Sequence, residues 1–371
     1  MRVLLLNATY PEDRLGGAEL QASLIAQGLE RAGDEVHYVA VESPPSLPVH
    51  TYERGVHVYR FDALQSRESR ERALKSVLRE VDPDVCYCRL PHWLGILRRA
   101  SGGSRAKTVA HISSSLDIAP MMGRIGTPIW LRQFARARPS VKVFLDELHE
   151  VDLIIAQTRS QAQSLMRKTG LEAVVIPNCL PDMVRPRSLR ERAGIIWVGN
   201  IKPLKRPEVF VELAREMDAR HLRHDMVMIG APQDQRLSGE IDTWASRVDN
   251  LTYKGGLPFL DTWEAIAGSR ILVNTSLAEG FSNTYVQAWL SGVAVVTVCC
   301  DPDGLIQREG LGVVARTTHR LPSVVASLMS DDEVLSEMQG RVRTYALSHH
   351  LYQSVIPRFV TALHGVLCGR A

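Results

Sequence analysis

Long apolar runs are missing from this chain: none approaches the roughly 20 residues that a membrane-spanning helix requires. The short opening run Val3–Leu6 turns polar at Asn7 and reads as a first strand rather than a signal peptide. Cysteine is sparse. Cys86, Cys88, Cys179, Cys299, Cys300 and Cys368 show neither zinc-ligand spacing nor a disulfide framework, and Cys299–Cys300 read as a strand end. A reducing, cytoplasmic setting is expected. No short repeat, no low-complexity tract and no His/Cys/carboxylate cluster is present, so neither a metal nor another cofactor is expected. The Gly-x-Gly-x-x-Gly fingerprint is absent after the first strand, which argues against a nicotinamide-linked dehydrogenase.

A chain of 371 residues exceeds one compact core and suits two domains, and 45% apolar with 23% charged residues is ordinary for a globular protein. The net charge of +3 is uninformative, but its distribution is not. Between Cys86 and Lys142 ten Lys or Arg face a single acid, Asp117, a local attractor for an anionic partner. Within that stretch Trp130 and Phe134 stand four apart, as do Arg132 and Arg136, the pattern of a helix with an aromatic and a basic stripe. Such a helix in the 124–142 segment can lie on an anionic membrane surface, or can pack by its aromatics beside a cleft. Nothing points to a nucleic acid.

Short buried strands alternate with amphipathic helices. Val3–Leu6, Glu35–Val41, Val56–Tyr59, Asp84–Cys88, Thr108–Ile112, Leu153–Ala156 and Val174–Ile176 form one series. Ile195–Val198, Met226–Ile229, Leu251–Tyr253, Ile271–Val273 and Ala294–Val298 form a second. Alternation of this kind predicts parallel sheets covered by helices on both faces. The Pro-rich stretch Pro177–Arg187 separates the two series and reads as a linker. The expected division is residues 1–180, residues 190–350, and a closing helix within 351–371.

Five places come into question for chemistry. In Thr275–Trp289 a strand leads through a loop holding Glu279 and Gly280 into a helix opening near Ser282 or Asn283. Val286, Trp289, Leu290 and Val293 recur on one helical face, and Gln287 sits in the first turns. The free N–H groups of that helix start suit an anion or sugar hydroxyls. In Trp197–Glu208 the strand end Gly199-Asn200 precedes Lys205 and Arg206, and Pro207 suits a first helical position before Val209, Phe210, Leu213 and Met217. Helix start and cations together can neutralise a diphosphate, and the same residues also read as a surface charge cluster. After strand one, the Gly16–Gly17 pair opens a helix and lets backbone approach a ligand. His111 ends the strand Thr108–His111, where it reads either as a ligand contact or as a satisfied core histidine. Asp301-Pro302-Asp303-Gly304 reads as a turn before it reads as a metal site.

The order and spacing of these motifs resemble the retaining glycosyltransferases of family 4, which have the GT-B fold. In that family a Glu, seven residues and a second Glu bracket the nucleotide sugar; here Glu279 matches the first and Gln287 replaces the second. The resemblance extends to Gly16-Gly17-Ala18-Glu19, likened to the loop over the donor diphosphate. It extends also to Lys205, likened to the family's phosphate-binding Lys, although Asn200 stands where an Arg is usual. It implies an α/β architecture of two Rossmann-like doubly wound domains facing across a cleft, with the last helix crossing back to the first. It further implies metal-independent transfer of a hexose or related sugar, with retention, from a UDP- or GDP-linked donor to a glycan or lipid-linked glycan. By resemblance Glu279, Lys205 and His111 are catalytic. Gly16, Gly17, Gly199, Asn200, Arg206, Gly280, Phe281, Ser282, Asn283 and Gln287 bind the donor. A nucleotide-sugar 2-epimerase of the same fold, or a non-catalytic nucleotide-sugar or glycan-binding relative, are the alternatives.

Overall fold

The structure is a computed structural model and describes residues 1–14, 16–102, 105–118, 141–222 and 224–369. The chain divides into two compact units, Met1–Cys179 with Tyr352–Ala371, and Leu180–Leu351. The basic segment 124–142, with its Trp130/Phe134 pattern, lies almost wholly outside the described residues.

The first unit runs β1 (Arg2–Asn7), α1 (Gly17–Arg31), β2 (Glu35–Ser43), β3 (His50–Glu53), β4 (Val56–Asp62), α2 (Arg67–Val81), β5 (Val85–Cys88) and α3 (Pro91–Ala100). It continues through β6 (Lys107–Ile112), α4 (Ser115–Ile118), α5 (Val141–Leu148), β7 (Leu153–Ala156), α6 (Arg159–Thr169) and β8 (Val174–Val175). The second unit runs β9 (Ile195–Val198), α7 (Pro207–Ala219), β10 (Met226–Ile229), α8 (Gln235–Ala245), β11 (Leu251–Tyr253), α9 (Phe259–Ala267), β12 (Ile271–Asn274) and α10 (Asn283–Leu290). Then follow β13 (Ala294–Thr297), α11 (Leu305–Arg308), β14 (Gly312–Val314), α12 (Leu321–Met329) and α13 (Asp332–His349), and α14 (Tyr352–Leu367) returns to the first unit.

The strand orders are β3-β4-β2-β1-β5-β6-β7-β8 and β11-β10-β9-β12-β13-β14. Central strands of both sheets are buried along nearly their whole length, as parallel sheets covered on both faces require. One departure from the parallel expectation is β3, an antiparallel edge strand joined to β4 through Arg54 and Gly55. Both turn residues have positive φ (50° and 85°), the two-residue hairpin geometry that matches strand twist. The short strand β14 was likewise not anticipated. His111 lies one residue inside β6, which ends at Ile112.

Close approach explains how α14 docks. A Cβ at Gly28 of α1 would lie 2.1 Å from Cγ2 of Ile356, so only glycine lets the two helices meet there. Asp34 then joins both chain ends, accepting from the N-terminal ammonium at 2.9 Å and lying 2.8 Å from Nε2 of His364. In the second unit Trp197, Phe210, Trp263, Tyr285 and Trp289 are fully buried and dominate the core. Trp263 Nε1 donates to the Gln287 carbonyl (3.1 Å) and Ser291 Oγ (2.9 Å), tying α9 to α10. No helix among the described residues is long and apolar enough to cross a membrane.

Candidate active site

The second unit brings its two singled-out loops into contact at the carboxyl ends of β9 and β12. Lys205 Nζ lies 2.5 Å from Glu279 Oε1, with the two side chains 19% and 14% exposed. The strand-end residues Asn274 and Ser276 converge on the same carboxylate oxygen, Ser276 Oγ donating at 2.7 Å and Asn274 Nδ2 at 3.5 Å. Burial works against a charge on Glu279. The Lys205 ammonium, its hydrogen bond and those of Ser276 and Asn274 overcome that penalty and hold the carboxyl below its ordinary range.

Thr275 fixes the other side of the loop. Its hydroxyl lies 2.7 and 2.8 Å from the carbonyls of Lys205 and Arg206, and it accepts from Trp197 Nε1 at 2.8 Å. The Leu277 N–H donates to the Leu204 carbonyl at 3.0 Å. These bonds brace a strained turn: Arg206 has φ 50° and ψ 54°, a left-handed conformation that costs a non-glycine residue about 1–3 kcal/mol. Pro207 then takes the first position of α7, which buries Val209, Phe210, Leu213 and Met217. Arg206 pairs with Glu208 at 3.5 Å. Gly199 lies along the Lys205 stem, where a Cβ would sit 3.7 Å from its Cδ, and half-buried Asn200 follows.

Glu279 and Gly280 lead into α10 through Phe281 and the N-cap residue Ser282, both buried, and Asn283 begins the helix. Phe281 packs edge-on to Trp289. Gln287 is 3% exposed, and its Nε2 has no hydrogen-bond partner. A buried amide nitrogen left unpaired calls for an explanation such as an absent ligand group. Sequence reasoning missed Asn274, Thr275 and Ser276; their signal was a set of polar residues directly after the apolar run Ile271–Val273.

The remaining singled-out residues lie elsewhere. In the first unit Gly16 is the N-cap of α1 and Gly17 its first residue. His111 is 2% exposed, stacks on Phe359 of α14 and has its Nδ1 2.5 Å from Tyr87 Oη. Burial first, and then the nearby Arg89 charge, push its pKa well below the usual histidine value. Asp301 accepts the N–H groups of Ile306 and Gln307 at 2.7 and 3.3 Å, so its carboxylate is occupied in capping α11. No cluster of His, Cys, Asp or Glu suited to a metal occurs among the described residues.

Two family models divide the chain. Glycosyltransferase Family 4 matches residues 15–182, and Glycosyl transferases group 1 matches residues 192–331. The chain belongs to the GT-B glycosyltransferases. No curated protein matches it in sequence. Among solved structures, this glycosyltransferase is similar to sucrose-phosphate synthase from Thermosynechococcus elongatus, at 12% identity with a TM-score of 0.80 and 99% of each chain covered. It is also similar to Anabaena HepE in complex with UDP and glucose (15% identity, TM-score 0.78, 98% of this chain and 100% of that one). A third is the UDP-forming α,α-trehalose-phosphate synthase from Burkholderia vietnamiensis (12% identity, TM-score 0.72, 100% and 98% covered). At these identities the likeness is one of fold, and the GT-B fold agrees with the two parallel-sheet units.

Proposed function

We propose that this glycosyltransferase moves a sugar from a nucleoside diphosphate sugar to a glycan or lipid-linked glycan, with retention at the anomeric carbon and without a metal. The observation that carries the reading is the Lys205–Glu279 pair, held at the carboxyl end of the second sheet between the starts of α7 and α10. Strand carboxyl ends are where open α/β sheets take ligands.

The chemistry is electrostatic. As the sugar departs, the diphosphate gains negative charge, and a fixed ammonium is worth most where charge grows. Lys205, Arg206 and the start of α7 supply that positive field. Donor binding exchanges part of the Lys205–Glu279 contact for contacts of each residue with the ligand, Lys205 with the diphosphate and Glu279 with sugar hydroxyls. Gly280, Phe281, Ser282 and Asn283 offer backbone groups at the helix start, and Gln287 bonds the ribose through its unpaired Nε2. No pair of carboxylates spaced for a glycosidase is invoked, so no covalent sugar–enzyme intermediate forms part of the proposal. UDP is the favoured nucleotide because similar structures carry it, HepE among them. Peripheral binding to an anionic membrane surface through the 124–142 segment is proposed from its basic sequence alone. Salt-dependent sedimentation with anionic vesicles tests that part, and no binding at low ionic strength removes it.

The deciding experiment is a thermal-shift screen against UDP-, GDP-, ADP- and TDP-sugars, followed by product analysis of the binding donor with and without glycan acceptors. Stabilisation by one nucleotide sugar and acceptor-dependent release of its nucleotide are expected. Donor consumption to an epimer without acceptor, or binding with no turnover across the acceptor panel, would replace the transferase reading.

A further inference from the structure

Asn7, Arg89 and His111 stand side by side on three neighbouring parallel strands of the first unit. Leu6 pairs with Cys88 and Cys88 with Ala110, so the next residue of each strand falls in one row. The Arg89 N–H continues the ladder by donating to the Leu6 carbonyl at 3.4 Å. Alternation places the three side chains on the face opposite the cluster of Leu4, Leu6, Cys86, Cys88 and Ala110. The row lies at the carboxyl end of these strands, since β1 ends at Asn7, β5 at Cys88 and β6 at Ile112.

All three side chains are buried, at 1%, 3% and 2% exposed. Each carries a polar atom without a hydrogen-bond partner: Asn7 Oδ1, Arg89 Nη1 and His111 Nε2. The Arg89 side chain bonds Ser113 Oγ through Nε at 3.3 Å and also reaches the Tyr87 hydroxyl, and it has no carboxylate at ion-pair distance among the described residues. Glu19 of α1 feels its charge from farther off. A guanidinium cannot discharge itself by losing a proton, so burial without a counter-ion leaves a standing penalty that only an anion removes.

The hydrogen-bond pattern defines what is missing. His111 Nδ1 and the Tyr87 hydroxyl share one proton between them; where the hydroxyl donates, the neutral imidazole carries its own proton on Nε2. In that tautomer the row presents two N–H donors, from Arg89 and His111, beside one acceptor, Asn7 Oδ1. Asn7 is oriented for this, because its Nδ2 donates to Tyr38 Oη, which in turn donates to the Thr9 carbonyl. Two donors and one fixed positive charge match a singly charged oxyanion, and the adjacent acceptor matches a hydroxyl next to it.

We propose that Asn7, Arg89 and His111 form a subsite for a singly charged oxyanion with a neighbouring hydroxyl, borne by the acceptor as a carboxylate or a phosphodiester. Only the assignment to the acceptor rests on the glycosyltransferase reading; the subsite itself does not. The test uses the intact chain in low-salt buffer, with melting temperature and calorimetry against D-glucuronate, D-glycerate, glycerophosphoglycerol and neutral D-glucose. The charged probes should raise the melting temperature and D-glucose should not. A response to the two acids alone assigns a carboxylate, and a response to the diester alone assigns a phosphodiester. Arg89→Met should melt higher than wild type without ligand and lose the response. Asn7→Asp, which sets a built-in counter-ion beside Arg89, should weaken probe binding at least tenfold while keeping the fold. No response of wild type to any charged probe overturns the proposal. So does an Arg89→Met protein that responds like wild type, and, where that variant fails to fold, an Asn7→Asp protein that binds as tightly as wild type. UDP binding measured on the same samples separates the two readings: UDP bound with no oxyanion response sinks the subsite alone, whereas no UDP binding sinks the donor site.

Discussion

The polar groups at the carboxyl ends of the two sheets are treated in opposite ways. In the second unit the buried carboxylate of Glu279 has its counter-ion and two further donors in place, and the Thr275 hydroxyl accepts from an indole while two carbonyls share its single proton. In the first unit a buried guanidinium, an imidazole and an amide stand in a row with an unpaired atom each. A satisfied network keeps its geometry without a ligand, so the second unit can hold Lys205 where charge will develop. An unsatisfied row gains most when a ligand arrives. The contrast separates a part built for positioning from a part built for recognition.

Removing Lys205 tests the positioning side most severely. Lys205→Ala takes away the cation and leaves Glu279 buried without its counter-ion, and loss of one donor aimed at developing charge costs about 10²–10³ in turnover. Turnover within a few-fold of wild type, measured on the donor found by the screen, would take Lys205 out of the site. Glu279→Gln keeps the shape and removes the charge, and a turnover loss of about 10² is expected on the same scale. It also gives a pH signature. The folded carboxyl lies below its ordinary value of 4.5. In that window the unfolded chain binds the extra proton, so stability rises with pH. The contribution of Glu279 is therefore present above 4.5 and lost as pH falls through the depressed folded value. Glu279→Gln should flatten the acid limb of melting temperature against pH, and an unchanged limb would mean that the carboxylate is not held as described.

The positioning loops were the more legible half in sequence. Their signals are local: Pro207 after two cations, Glu279-Gly280 before an apolar helical stripe, and a helix start at Ser282–Asn283 that the structure places there. The recognition row was illegible beyond His111. Positions 7, 89 and 111 meet only through strand register, and no periodicity within one segment carries that information. His111 reads in the structure as a core-embedded ring stacked on Phe359, a residue 248 positions away whose helix returns to the first unit. The β3–β4 hairpin escaped because its turn uses Arg54 in place of Asn or Asp, and β14 because a three-residue strand holds too little pattern.

Thr275→Val probes how far the second unit depends on being satisfied. The swap conserves shape but deprives Trp197 Nε1 of its acceptor and the carbonyls of Lys205 and Arg206 of their donor. Leaving buried groups unpaired costs about 1–3 kcal/mol, to be read by urea denaturation. Turnover should fall as well, by less than in Lys205→Ala, because the strained turn at Arg206 loses its brace. Thr275→Ser should restore both quantities. A valine variant as stable and active as wild type would show that Lys205 is positioned by something other than this hydroxyl.

Gln287→Glu is the mildest change and bears on a point where the second unit resembles the first, since Gln287 Nε2 is also buried and unpaired. If that nitrogen meets a ribose, a carboxylate there exchanges a neutral hydrogen bond of about 0.5–1.5 kcal/mol for a charged one of about 1.5–3 kcal/mol. Donor affinity should then be retained or rise by up to about tenfold by calorimetry, while the unliganded protein melts lower because a buried charge replaces an amide. Complete loss of donor binding in a folded variant would place something other than a diol against Gln287. Its unpaired nitrogen would then await some ligand group other than a ribose.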